Sequence, residues 1–120
     1  KSNSMIISEE DYSVKYDEDD GVIECKGSFR LRGSEEYKPI LDLLLSVADA
    51  TPEQLTLDVR ELKFLNSSGI NTLSKFIIQV RKHKATQVRI LGTVKSPWQG
   101  KSLKNFQRLL PTLELVIEDA

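Results

Sequence analysis

The sequence predicts an α/β fold: a mixed, mostly parallel sheet that opens with an antiparallel hairpin and buries one face under helices. Three observations predict it. Tyr12, Val14 and Tyr16 alternate with polar residues and run into the acidic turn Asp17-Glu18-Asp19-Asp20-Gly21, whose Asp-Gly pair signals a hairpin returning along Val22 to Lys26. After the hairpin, segments with apolar residues at helical spacing alternate with short apolar runs, giving the order β-β-α-β-α-β-α-β. No repeat, linker or low-complexity segment interrupts the 120 residues, a length that suits one domain with one core. That domain spans residues 12–118. Residues 1–11 read as an N-terminal tail, and Lys1-Ser2-Asn3-Ser4 ahead of Met5 has the look of residues left from expression.

Each element has its own local signal. The hairpin's second strand is expected to end at Gly27, with Ser28 to Gly33 irregular and Phe29 and Leu31 tucked under the fold. Ser34 is the expected cap of the first helix, with Glu35 and Glu36 in its first turn and Pro39 limiting how early regular hydrogen bonding begins. Tyr37, Ile40, Leu41, Leu44, Val47 and Ala48 share one helical face, which Leu43 and Leu45 broaden. Thr51-Pro52 closes that helix.

Leu55 to Val59 is the third strand, central and buried, followed by a short polar loop and the apolar pair Phe64-Leu65. Asn66 to Lys84 is the second long helix, its core stripe formed by Ile70, Leu73, Phe76, Ile77 and Val80. Asn71, Thr72, Lys75, Gln79 and Lys82 take the opposite face, and Ile78 falls off the stripe onto the exposed side. Gln87 to Leu91 is the fourth strand. Lys101 to Leu110 is the third helix, stopped by Pro111, and Leu113, Leu115 and Ile117 alternate along a last strand.

Composition narrows the function. Hydrophobic residues make up 39% and charged residues 29%, ordinary for a soluble globular chain, and a net charge of −1 favours neither nucleic acid nor an anionic membrane. No apolar run has the length of a membrane span, and no signal peptide is visible. The single cysteine, Cys25, sits in an apolar strand pattern and reads as a buried inert thiol, consistent with a reducing cytoplasm. The single histidine, His83, lies at the polar end of a helix beside Lys82 and Lys84, where a cation suits the helix dipole. One Cys and one His offer few parts for a zinc site or a nucleophilic triad, and the acidic turn lacks the ligand spacing of a calcium loop. No metal or cofactor is expected.

The chemistry concentrates in Asn66-Ser67-Ser68-Gly69, at a helix start. Capping alone accounts for such residues: an Asn or Ser side chain accepts from a free first-turn N–H, and Gly allows close packing. A helix N-terminus also tolerates a phosphate, because its unpaired N–H groups and partial positive charge favour an anion. Phosphorylating a serine there changes the sign of the surface and leaves the helix intact.

The residues Leu57-Asp58-Val59 and then Phe64-Leu65-Asn66-Ser67-Ser68-Gly69-Ile70 resemble the signature of the STAS domain of bacterial anti-sigma factor antagonists. The signature has a hydrophobic strand with an Asp near its end, a loop, and an aromatic-apolar-Asp-Ser-Ser/Thr-Gly-apolar helix start. The order of elements from about Tyr12 to Glu118 suits that family's fold, a single STAS-like domain. The resemblance implies a cytoplasmic, non-enzymatic binding module. In the family the serine after the Asp is phosphorylated by an anti-sigma factor that is also a serine kinase; the unphosphorylated antagonist binds that kinase and frees the sigma factor; a PP2C-type phosphatase resets it. Residue by residue, the phosphoacceptor is Ser67, with Ser68 the second candidate. The docking surface comprises Asn66, Ser67, Ser68, Gly69, Asn71, Lys75 and Ile78. The family Asp is Asn66 here, which keeps the capping geometry without the charge; weaker phosphorylation, a different kinase, or binding without a switch all remain open.

Two other readings stand beside it. One is a constitutive scaffold, including a homodimer, with no phospho-switch. The other is a nucleotide-binding module, since Lys95, Lys101 and Ser102 flank a strand-to-helix turn that would hold an anion. A phosphate loop needs a glycine where Lys95 stands, so a polar loop with Ser102 near the cap is the simpler account of Gly100-Lys101-Ser102. Pro97-Trp98 is either a partner anchor or the closure of the core's end. Asp58 and Glu61 flank the polar loop, where Asp58 is expected to bind backbone, and no base stands ready to activate Ser67 as a nucleophile.

Overall fold

Strands β2 (Tyr12–Asp17) and β3 (Val22–Phe29) form the expected antiparallel hairpin. The structure, a computed structural model, describes residues 4–118. Residues Ser4–Ser8, expected within the tail, are instead a strand, β1, paired antiparallel with β2 from Ser4↔Asp17 to Ser8↔Ser13. Only Ile7 of its apolar residues packs on the core while Met5 and Ile6 are exposed, so the segment lacks the strong alternation that marks an interior strand. Gly27 does not end β3. It stands at φ +91° against Asp11, where an added Cβ would collide with backbone, and so lets the strand continue to Phe29.

The remaining strands, β4 (Gln54–Leu65), β5 (Gln87–Thr93) and β6 (Glu114–Glu118), run parallel to β3, and the six strands lie in sequence order. Helices α1 (Gly33–Asp49), α2 (Ser67–Arg81) and α3 (Gln99–Leu109) carry the three parallel crossovers. With strands in order and right-handed connections, all three helices fall on one face of the sheet. Between the layers lie Ile23, Leu57, Ile90, Tyr37, Phe76 and Phe106, each essentially solvent-free. Burial of side chains this large contributes roughly 1.5–3 kcal/mol apiece.

Helix α1 starts one residue ahead of the expected cap. Arg32 holds the N-cap position without a side-chain bond, and Glu36 reaches back to its N–H at 2.8 Å. Pro39 lies inside the helix and leaves the Glu35 carbonyl without its usual N–H partner. Helix α2 ends at Arg81, and His83 beyond it is half-buried with a ring nitrogen 3.0 Å from the Asp49 carboxylate, more enclosed than its sequence neighbours suggest. Asp49 is held below the usual carboxylate range by the Gln79 amide and then by His83. Thr72, expected on the solvent face, is buried because its hydroxyl donates to the Ser68 carbonyl at 2.9 Å and needs no water.

The largest departure from expectation is β4. No loop follows Val59; the strand continues to Leu65. Opposite β3, residues 58–61 and 62–64 of β4 each carry one surplus residue, and these bulges absorb the polar stretch. Pairing with β5 stops at Asp58↔Leu91. Beyond that point the Val59 and Leu62 carbonyls receive Gln99 Nε2 at 2.7 Å and Trp98 Nε1 at 2.8 Å, so the start of α3 takes over the hydrogen bonding that β5 no longer supplies.

The other face of the sheet carries charge instead of helices. Arg60 binds both carboxylate oxygens of Asp58, at 3.0 and 2.8 Å, and Glu118 at 2.8 Å, tying β4 to β6. Asp58 also accepts from the Arg60 N–H at 3.1 Å, the backbone role expected of it, although that backbone is strand and not loop. Burial opposes ionisation of Asp58, but the Arg60 side chain and N–H outweigh it and hold the carboxyl below its ordinary value. Cys25 lies between the layers with its thiol pushed up to about 12 by burial, then by Asp58 and Glu24, which makes it inert as a nucleophile.

Candidate functional site

The candidate site lies where β4 hands over to α2, at the carboxyl end of a central parallel strand. Leu65 is the last strand residue and is buried; Ser67 is the first helical residue and is exposed. Between them Asn66 is the N-cap, and both its side-chain oxygen and its side-chain nitrogen are hydrogen-bonded. Its Oδ1 accepts from Gly69 N–H at 2.9 Å and from the Tyr37 hydroxyl at 2.7 Å, and its Nδ2 donates to the Leu31 carbonyl at 2.8 Å. Its backbone N–H bonds to Phe29 at 3.2 Å and its carbonyl accepts from Ile70 at 2.9 Å. One residue therefore joins β3, the β3–α1 connection, α1 and α2.

These partners explain the amide. A carboxylate in this place would keep the Gly69 and Tyr37 bonds, but it would set a second acceptor against the Leu31 carbonyl. The Tyr37 hydroxyl is the donor to Oδ1, and burial pushes its pKa up to about 12. Gly69 is pressed between Leu65 and Tyr37, with room for no Cβ: one would fall 2.8 Å from the Tyr37 hydroxyl. The cap is a rigid weld, and its neutral amide leaves the helix end uncompensated, as the first turn of α2 holds no acidic residue.

The expected docking residues divide into layers on this scaffold. Ser67 is exposed, and its hydroxyl makes no hydrogen bond among the described residues. Asn71, Lys75 and Ile78 are exposed further along α2, with Ile78 at 38%. Ser68 is half-buried and lines a shallow cleft of about 260 Å³ with Ser34, Asn71, Lys75 and Ile78. Gly69 is buried and Asn66 half-buried, and both position that surface. The cleft adds Ser34, expected as a cap, to the site. Phe64, expected as half of an apolar pair, is 40% exposed with the Arg30 guanidinium 4.6 Å from its ring centroid. The signal for Phe64 was strand parity: with Leu65 turned inward, its neighbour turns out.

The Ser67 hydroxyl has no histidine beside it. The only histidine, His83, lies past the far end of α2, about 20 Å away by the rise of a helix of this length.

The anion residues Lys95, Lys101 and Ser102 surround the start of α3 instead. Lys95 and Lys101 are exposed and Ser102 is half-buried inside the first turn. The turn between them is drawn onto β4 by Trp98 and by Gln99, which is fully buried; Gln99 Oε1 also accepts from Thr93 N–H at 2.8 Å. Trp98 is half-buried and closes this end of the core. Gln99 had no sequence signal, because a glutamine at a helix start reads as polar surface.

No protein-family model matches the chain. No curated protein matches it. Among solved structures, SiaC of Pseudomonas aeruginosa superposes with a TM-score of 0.69 at 14% identity, covering 98% of each chain. A chain from the structure of the diguanylate cyclase SiaD in complex with its activator SiaC, from the same organism, gives 0.70 at 16% identity, covering 95% of this chain and 98% of that one. An anti-sigma factor antagonist from Mycobacterium paratuberculosis gives 0.58 at 15% identity, covering 95% of this chain and 86% of that one. At these identities the likeness is one of fold, and the chain has the STAS-like fold that its sequence predicts.

Proposed function

We propose that this chain is a non-enzymatic protein-binding module of cytoplasmic signalling, docking through the first turns of α2 and switched by phosphorylation of Ser67. The observation that carries the reading is the contrast within one tetrapeptide. Asn66 and Gly69 are locked into the fold, whereas Ser67 is exposed, unbonded and first in the helix. A phosphate on Ser67 would meet free N–H groups and the positive end of the helix, so the fold survives and the docking face gains about two negative charges.

The partners that fit are an anti-sigma-type serine kinase and a PP2C-type phosphatase. Two structural neighbours support a role exercised by protein contact: SiaC is by name the activator of a diguanylate cyclase, and the mycobacterial protein is an anti-sigma factor antagonist. Incubation with ATP and such a kinase, followed by intact-mass measurement, tests the reading. One phosphate is expected on the wild type and none on Ser67→Ala. Equal phosphate on both would overturn the assignment of Ser67. Phosphate on neither would favour a constitutive binder, the role the uncharged Asn66 also permits.

A further inference from the structure

The far end of α2 holds a second feature, separate from the docking surface. A cleft of about 360 Å³ opens between the end of α2, the start of β5 and the chain after α3. Val80, Leu110 and Pro111 give it apolar walls, and Arg81, His83 and Lys84 give it a basic rim. Its volume is that of a small-molecule site.

The polar groups around it are unbalanced in one direction. Three acceptors around it are engaged: Asp49 receives the Gln79 amide and faces His83, the Leu109 carbonyl at the end of α3 receives Arg81 Nη1 at 3.0 Å, and the Thr112 carbonyl receives Gln87 Nε2 at 3.1 Å. Donors are left over. The Lys84 ammonium has no partner among the described residues. Thr86, which lines the cleft, is only 9% exposed, and its hydroxyl is buried with no hydrogen-bond partner among the described residues. A buried unpaired hydroxyl is costly and uncommon, and this one belongs to a residue that lines a cavity with a cationic edge.

We propose that this cleft binds an aliphatic carboxylate, with its chain against Val80, Leu110 and Pro111 and its carboxylate between Lys84 and the Thr86 hydroxyl. Apolar walls select the chain, surplus donors select the acceptor head, and the net positive rim selects its charge. Rotation about the Thr86 χ1 turns the hydroxyl towards the head group, a torsion for which threonine has more than one accessible well.

The test is an amide NMR titration of the full chain with octanoate, octanol and acetate. Octanoate is expected to give saturable shifts centred on Lys84, Thr86 and Leu110, with octanol and acetate each binding more weakly. Lys84→Gln and Thr86→Val each keep the shape of the site, and each is expected to weaken octanoate by about tenfold, the effect of one lost hydrogen bond to a charged group. Absence of saturable binding, octanol binding as tightly as octanoate, or unchanged affinity in both variants would overturn the proposal.

Discussion

Helices α2 and α3 each follow a parallel strand, yet their first turns do opposite jobs. At α2 the cap residue turns its side chain inward and the next residue, Ser67, faces solvent with a free hydroxyl. At α3 there is no side-chain cap; Trp98 and Gln99 both turn inward and hold the upper part of β4, where β5 has stopped pairing. One helix start presents a group and the other braces the strand that leads to it. Equal topology thus does not confer equal function; the direction of two or three side chains decides it.

The largest effect should come from breaking the brace. Gln99→Leu leaves the Thr93 N–H and the Val59 carbonyl unpaired in the interior, and is expected to cost about 3 kcal/mol and lower the melting temperature by roughly 10 °C or more. Urea denaturation checks it; a loss under about 1 kcal/mol would mean that α3 does not support β4.

At the other helix, Asn66→Asp should cost about 1–2 kcal/mol, because a carboxylate oxygen replaces the donor that now sits 2.8 Å from the Leu31 carbonyl. Tyr37→Phe, which removes only the hydroxyl bond to Asn66, should cost about 1 kcal/mol. Stabilisation by Asn66→Asp would show that the weld is not what selects the amide.

A smaller effect separates both helix ends from the open face. The Asp58 carboxyl titrates below its unfolded value of about 3.9, so its contribution is complete above that pH and fades as pH falls through the folded value. Asp58→Asn should cost about 1 kcal/mol at pH 7 and progressively less as the pH falls through the folded value of Asp58, flattening the acid limb of stability against pH. Smallest of all, Ser67→Ala should change stability by less than about 0.5 kcal/mol, since the hydroxyl has no partner to lose among the described residues.

The parts of this fold that depend on periodicity were legible in the sequence. The hairpin, the core stripe from Leu73 to Val80, and the helix start at Ser67 all follow from spacing and capping chemistry. What escaped depended on long-range geometry. Ser4–Ser8 is a strand because β2 offers it an edge, and its own pattern is weak. The polar residues after Val59 looked like a loop because bulges cannot be seen until β3 and β4 are set side by side. Gln99 is a buried polar residue satisfied by a partner 40 residues away, so type alone sent it to the surface. In the candidate site, position was legible and depth was not: Asn66 and Gly69 belong to the support, and Phe64 and Ser34 to the surface.

The most direct test of the presenting role of α2 is the affinity of the kinase partner for the unmodified chain and for the chain phosphorylated at Ser67, measured by calorimetry at one ionic strength. The phosphorylated form is expected to bind at least about tenfold more weakly, a difference of about 1.4 kcal/mol, with its melting temperature essentially unchanged. Equal affinity of the two forms would contradict the account.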